Sequence, residues 1–222
     1  MKFFIDTANV EEIRKAKNLG VLDGVTTNPS LLSKENLSIK EIDNHYLSIC
    51  KILEETGKKG DISAEIISSN YEDIIQEGEK LSSIHPKIVV KIPISKNGLK
   101  AIQYFSKKNI KTNCTLVFSS GQALLAAKAG SNYVSPFIGR IDDLSSNGLT
   151  LIKEIKDIYD TFHFKSKIIG ASIRNTLHII ECAKIGIYAV TSPLKIIETL
   201  LYHPLTNKGL EKFLKDYKEK IY

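Results

Sequence analysis

A single lysine, Lys91, interrupts the run IVVKIP (Ile88 to Pro93), whose other residues are those of a buried β-strand. An ammonium is costly to bury, so inside a fold it either meets a carboxylate or sheds its proton. A free amine on a buried lysine is a carbonyl nucleophile, able to form an imine with a ketone or aldehyde. The competing reading is a lysine that closes an ordinary strand and snorkels to solvent.

Other apolar runs supply company for this lysine. Alternate residues of a strand face opposite sides, and Asp6; Thr26 and Asn28; Ser63 and Glu65; Lys91; Asn113 and Thr115; Ser135 and Phe137; and Ser172 are each assigned to one parity of their own run, near its C-terminal end. The opposite parity is mainly apolar: Ile62, Ala64 and Ile66; Ile88, Val90 and Ile92; Leu116; Val134. If these runs close into a barrel, polar groups from seven strands converge on one mouth, and the apolar parity packs under helices. The C-terminal mouth of a barrel of parallel strands is where active sites are built.

The elements that must hold these residues recur along the chain. The runs FFID (Phe3 to Asp6), GVTTN (Gly24 to Asn28), DISAEI (Asp61 to Ile66), IVVKI (Ile88 to Ile92), TNCTLV (Thr112 to Val117), YVSPFI (Tyr133 to Ile138), KIIGAS (Lys167 to Ser172) and YAVT (Tyr188 to Thr191) read as strands. Between them lie amphipathic segments such as Val10 to Leu19, Ile39 to Glu55 and Ser146 to Phe162, with apolar residues repeating at three and four. Alternating β and α elements predict a parallel sheet covered by helices, here an α/β fold consisting of a single (β/α)8 TIM barrel with an extra C-terminal helix. Leu194 to Tyr202 supplies the closing helix, which leaves Thr206 to Tyr222 surplus. There Leu210, Phe213, Leu214, Tyr217 and Ile221 share one helical face, and Lys212, Lys215, Asp216 and Glu219 the other. Such a stripe needs cover, either from its own barrel or from another subunit.

Composition narrows the partners. With 222 residues, 42% of them hydrophobic, and no Pro/Ser/Gly-rich linker or internal repeat, one domain spanning residues 1–222 is expected. The uncharged run Thr112 to Ala127 is broken by Asn113, Ser119, Ser120, Gly121 and Gln122, so no membrane span is predicted. Asp6 stands where a signal peptide would need its apolar segment, and a cytoplasmic location is expected. Cys50, Cys114 and Cys182 are far apart and form no CxxC pair, which reads as reduced, buried thiols. The net charge of +6 suits an anionic partner, but the lysines are scattered and no nucleic-acid motif is present. A phosphorylated metabolite is the more economical partner. His45, His85, His163, His178 and His203 lie outside the inward strand set without metal-ligand spacing, so neither a metal nor an organic cofactor is expected.

In this arrangement the chain resembles the short transaldolase and fructose-6-phosphate aldolase group of class I aldolases. The resemblance rests on DTANVEEI (Asp6 to Ile13), GVTTNPSLL (Gly24 to Leu32), ISAEI (Ile62 to Ile66), VVKIP (Val89 to Pro93), TNCTLVFSSGQALLAAKAG (Thr112 to Gly130), YVSPFIGRIDD (Tyr133 to Asp143), ASIRN (Ala171 to Asn175) and HPLTNKGLEKF (His203 to Phe213). It implies that Lys91 forms a Schiff base with a ketose phosphate, with Glu65 acting as acid and base through a water beside Thr115. Asp6 would accept the C4 hydroxyl proton during cleavage. Asn28, Asn113 and Ser135 would bind the dihydroxyacetone hydroxyls, with Thr26, Ser63 and Phe137 beside them. Arg140, Ser172 and Arg174 would hold the substrate phosphate, and of the chain's other arginines only Arg14 remains, which reads as a surface charge.

The bottom-up alternatives stay open at this point: Glu65 as a mere ion-pair partner, Asp6 as the cap of the helix from Ala8, and Asn28 as the cap of the next. Within the resembling group, aldolase-type members generally carry Gln and Tyr where this chain has Glu65 and Phe137, so the resemblance implies transaldolase over release of free dihydroxyacetone. A non-catalytic sugar-phosphate-binding barrel would have no use for Lys91 beside Glu65 and Thr115. The group's members are ring-forming homo-oligomers, typically decamers of two pentamers, whose C-terminal helix reaches a neighbouring subunit, and the same is expected here.

Overall fold

The computed structural model describes residues 1–38 and 40–221, the last by its backbone alone. Ile39, from which the sequence starts a long helix, lies outside the described residues, as do Tyr222 and the place of the Ile221 side chain on the terminal stripe.

Eight parallel strands, β1 (Lys2–Asp6), β2 (Gly24–Thr26), β3 (Ile62–Glu65), β4 (Ile88–Pro93), β5 (Thr112–Val117), β6 (Tyr133–Pro136), β7 (Lys167–Gly170) and β8 (Ala189–Ser192), pair in chain order, and β8 closes on β1. The connections carry α1 (Val10–Asn18), α2 (Pro29–Leu32), α3 (Ile42–Glu55), α4 (Tyr71–Ile84), α5 (Lys96–Lys107), α6 (Ser120–Lys128), α7 (Ile138–Asp142), α8 (Gly148–Thr161) and α9 (Thr176–Ile185). After β8 come α10 (Leu194–Glu198), a 3-10 turn (Thr199–Leu201) and the extra helix α11 (Pro204–Ile221). The α/β barrel with an additional terminal helix is therefore the observed fold, with α11 starting two residues before the expected Thr206.

The two strand parities separate into two cores. Ile5, Val25, Ile62, Ala64, Val90, Ile92, Cys114 and Val134 pack with helix residues such as Ile13, Ile49, Leu53, Phe105 and Ile152 in the layer between barrel and helices. On the other parity Phe4, Val89, Tyr133, Ile169 and Ala189 form a separate small cluster that plugs the barrel. Gly24 is part of that plug, since a Cβ there would stand 2.6 Å from the Phe4 ring. Above it the inward residues turn polar. The loops leading out of the strands end on side-chain caps: Asn9, Asn28, Asn70, Ser95, Ser119 and Asn175 each accept a backbone N–H of the helix that follows.

Parity misplaces two residues. Leu116 does not pack under the helices; its backbone is left-handed with φ 56°, the register with β6 slips between Cys114 and Val117, and Val117 enters the core instead. The extra residue of a bulge inverts the alternation beyond it. Ser172 does not belong to the inward parity of β7 either, which is that of Ile169. It reaches the mouth as a loop residue beyond the strand end at Gly170, with φ 57°.

The stripe on α11 is not folded back onto its own barrel: Leu205, Leu210, Phe213, Leu214 and Tyr217 are 56% to 69% exposed. Among the described residues no helix is long and apolar enough to cross a membrane.

Candidate active site

Lys91 does not snorkel. On β4 its side chain is 6% exposed, and Nζ lies 2.9 Å from Glu65 Oε2 and donates to the Thr27 carbonyl at 2.9 Å. The sheet dictates this meeting, because Glu65 on β3 is the register partner of Lys91. Glu65 is nearly as buried, at 12%. Taking both charges out of water costs several kcal/mol per ion, which their mutual attraction must offset. On the adjoining strand β5, Thr115 is fully buried two residues beyond Asn113, the register partner of Lys91, and its Oγ1 is the one buried side-chain polar atom without a hydrogen-bond partner among the described residues. An orphaned hydroxyl costs about 1–3 kcal/mol, so its survival calls for a function.

Two hydrogen-bonded chains order the rest of the mouth. Asn113 Nδ2 donates to Ser63 Oγ at 3.1 Å and its Oδ1 accepts from Ser135 Oγ at 2.8 Å, which fixes the amide across β3, β5 and β6. Thr26 Oγ1 donates to Asp6 Oδ1 at 2.9 Å and stands 2.5 Å from Thr191 Oγ1. Because Thr26 spends its proton on Asp6, Thr191 is the donor in that second bond. Burial pushes the Asp6 carboxyl above its ordinary value, against the opposing pull of Lys91 and of the Thr26 bond. Asp6 does not cap α1; Asn9 does, accepting from Glu12 N. Asn28 does cap α2, through Oδ1 and Leu31 N at 2.9 Å, so what remains for a ligand is its NH2 group.

A cavity of about 480 Å³ opens at this end of the barrel. Asp6, Thr26, Asn28, Lys91, Ser135, Phe137, Arg140, Ser172 and Arg174 line it, whereas Ser63, Glu65, Asn113 and Thr115 stand outside its wall. Phe137 offers an apolar ring, over which the Arg140 guanidinium lies at 5.7 Å from the centroid. Gly139 N donates to the Ser172 carbonyl at 3.0 Å, and a Cβ at Gly139 would fall 2.3 Å from that oxygen, so only glycine lets the two cationic loops meet. Arg174 is held by Asp143 at 2.9 Å, both half exposed. Two arginines beside a helix N-terminus suit an anion such as a phosphate ester. Arg14, by contrast, pairs with Glu11 on the surface.

Three residues of the site escaped sequence reasoning. Thr191 obeys the same parity rule on β8 and was legible by it. Lys195 adds a fourth cation to the cavity, beside Lys91, Arg140 and Arg174, but nothing in a lysine-rich sequence marks it. His178, given no role, is buried where Nε2 meets Asp142 Oδ2 at 2.9 Å and Nδ1 accepts from Arg174 N at 3.3 Å, bracing the arginine loop. Among the described residues no group of three or more His, Cys, Asp or Glu is placed to hold a metal ion.

Comparison with known proteins gives the same direction. The profile of the Transaldolase/Fructose-6-phosphate aldolase family matches residues 3–221. A protein of Phocaeicola vulgatus named "Probable transaldolase" is 59% identical over 222 residues, with 99% of each chain covered. Proteins of the same name from Cytophaga hutchinsonii and Bacteroides thetaiotaomicron are 58% and 56% identical over 220 residues, again with 99% of each chain covered. By the extent of that match and by its closed barrel, the chain belongs to the transaldolase/fructose-6-phosphate aldolase family.

Proposed function

We propose that this site transfers a dihydroxyacetone unit from sedoheptulose 7-phosphate to glyceraldehyde 3-phosphate through an imine on Lys91, giving erythrose 4-phosphate and fructose 6-phosphate. The observation that carries the reading is a buried lysine at the barrel mouth in contact with a buried carboxylate. Lys91 gives up a proton and its lone pair attacks the C2 carbonyl; the carbinolamine then loses water to leave an iminium. Asp6, the carboxylate beside Lys91 that lines the cavity, takes the C4 hydroxyl proton. The C3–C4 bond breaks, its electron pair moves into the iminium, and the aldose phosphate departs from a bound enamine. The enamine attacks the incoming aldehyde, whose oxygen recovers the proton, and water hydrolyses the new imine.

The Asn113–Ser135 chain and the Asn28 amide are the polar groups for the dihydroxyacetone hydroxyls, and Arg140, Ser172 and Arg174 those for the phosphate. Transfer is favoured over release of free dihydroxyacetone by the names of the relatives, by a carboxylate at Glu65 and by a ring without a hydroxyl at Phe137. Mixing enzyme, fructose 6-phosphate and borohydride should inactivate it and leave a covalent adduct on the peptide containing Lys91, and Lys91→Met should abolish both. Adduct on another lysine, or an active Lys91→Met enzyme, would exclude the mechanism. Fructose 6-phosphate alone, compared with sedoheptulose 7-phosphate plus glyceraldehyde 3-phosphate, separates release from transfer.

A further inference from the structure

The opposite end of the barrel has chemistry that the reaction does not use. Where the strands begin, the inward positions are charged: Lys2 on β1, Lys87 just before β4, Lys111 just before β5 and Lys167 on β7. With Lys59 and Lys165 at the rim they surround a basin of about 1090 Å³ floored by Tyr133 and Tyr188. We propose that this basin binds a compact soluble anion carrying two or more phosphate groups.

The argument rests on charge that the fold leaves uncompensated. Among the described residues only two carboxylates line the basin, and both are engaged: Asp61 by Lys111 at 2.8 Å and by the Tyr133 hydroxyl at 2.6 Å, Glu54 by His85 at 3.3 Å. Six lysines against two carboxylates leave an excess of four charges, most of the chain's net +6. Among the described residues Lys2, Lys87 and Lys167 meet no carboxylate. They are positioned instead by neutral groups: Lys2 Nζ donates to the Lys59 carbonyl at 3.0 Å, Lys87 Nζ to the Gly60 carbonyl at 3.4 Å, and Lys167 Nζ sits 4.5 Å from the Tyr188 ring centroid. Carbonyls and aromatic faces orient an ammonium without cancelling its charge, so the basin keeps a positive field focused by the barrel wall.

Helix C-termini also point to this end of a barrel and attract lysines on their own. That accounts for lysines on helices, not for four on inward strand positions, where like charges repel. The lysines ring a concavity instead of forming a stripe, which fits a compact anion better than a nucleic-acid strand.

The test is calorimetric titration of the full chain with inorganic triphosphate at low ionic strength. A saturable site is expected whose Kd rises at least about tenfold in Lys87→Gln/Lys167→Gln, since each charge-assisted bond lost is worth about that much. Lys87→Arg/Lys167→Arg should retain binding, and Arg174→Ala should leave it unchanged. Without anion the glutamine variant should unfold at the same or a higher urea concentration, because it removes repulsion. Absence of saturable binding, loss of binding in Arg174→Ala, indifference to both lysine substitutions, or a less stable glutamine variant would each overturn the site. Tighter binding of a single-stranded oligonucleotide than of triphosphate would overturn the choice of a compact ligand.

Discussion

Replacing Lys91 by Met and Glu65 by Leu, singly and together, tests whether the central pair is a true buried ion pair. At 2.9 Å two unit charges attract by about 6 kcal/mol for an effective dielectric of about 20. Lys91→Met would leave the Glu65 carboxylate without its cation, and Glu65→Leu would leave the ammonium with the Thr27 carbonyl as its hydrogen-bond partner and the Asp6 carboxylate nearby. Breaking a buried pair from one side costs about 3–5 kcal/mol, a large share of a total stability of about 5–15 kcal/mol. Removing both charges replaces the pair by apolar groups, which is near neutral or stabilising. The double variant should therefore unfold close to the wild type, with a coupling energy of at least about 3 kcal/mol between the two positions. Urea denaturation followed by circular dichroism at one fixed protein concentration measures all four proteins, the concentration being held because any self-association would shift the midpoint. The double variant should form no imine adduct, so stability and trapping part company. Effects that add within about 0.5 kcal/mol would refute the reasoning, since they would show that neither group depends on the other.

Arg174→Ala should raise KM for phosphorylated sugars at least about tenfold while sparing free dihydroxyacetone, from the loss of one charge-assisted contact; an equal effect on both would remove the phosphate role. Because burial raises the Asp6 value, the folded state holds that proton more tightly than the unfolded chain, and the resulting cost is absent below the ordinary 3.8 and complete above the folded value. Asp6→Asn should then raise the urea midpoint at pH 7 but not at pH 3 while cleavage is lost, and an equal shift at both pH values would count against it. Deleting α11 from Pro204 onward should turn a large homo-oligomer into smaller species in sedimentation, because its exposed stripe needs a neighbour; a monomeric full-length chain, or an unchanged oligomer after deletion, would reject that role.

The barrel was legible because each strand alternates so plainly: Ile62 and Ala64 go to the helices while Ser63 and Glu65 go to the axis. The same rule fails at Leu116 and Ser172, since both adopt left-handed backbone and neither is glycine, the residue that would have announced it. In DTAN the sequence suggests Asp6 as the cap of the first helix, and only the geometry shows that Asn9 takes the helix and leaves Asp6 to the mouth. His178 was invisible for another reason: its partners, Asp142 and the Arg174 amide, come from a different βα unit and from an irregular loop. On α11 the periodicity fixes which residues share a face, yet what that face meets depends on surfaces outside the helix.

Under the proposed reaction, the pairing of Lys91 with Glu65 gives Glu65 more than a counter-ion's part. An ammonium has no lone pair to offer a carbonyl, so under the proposed reaction Lys91 must pass a proton on before it can attack. The acceptor in contact is Glu65 Oε2 at 2.9 Å. Once that proton has moved, Nζ still has a hydrogen for the Thr27 carbonyl, so the neutral amine stays aimed at the mouth instead of collapsing onto apolar neighbours. The carboxyl then holds the proton that the carbinolamine oxygen needs to leave as water. Gln at position 65 could orient a water but could not take up the lysine proton, so under the proposed reaction a Glu65→Gln variant must pass that proton to another acceptor.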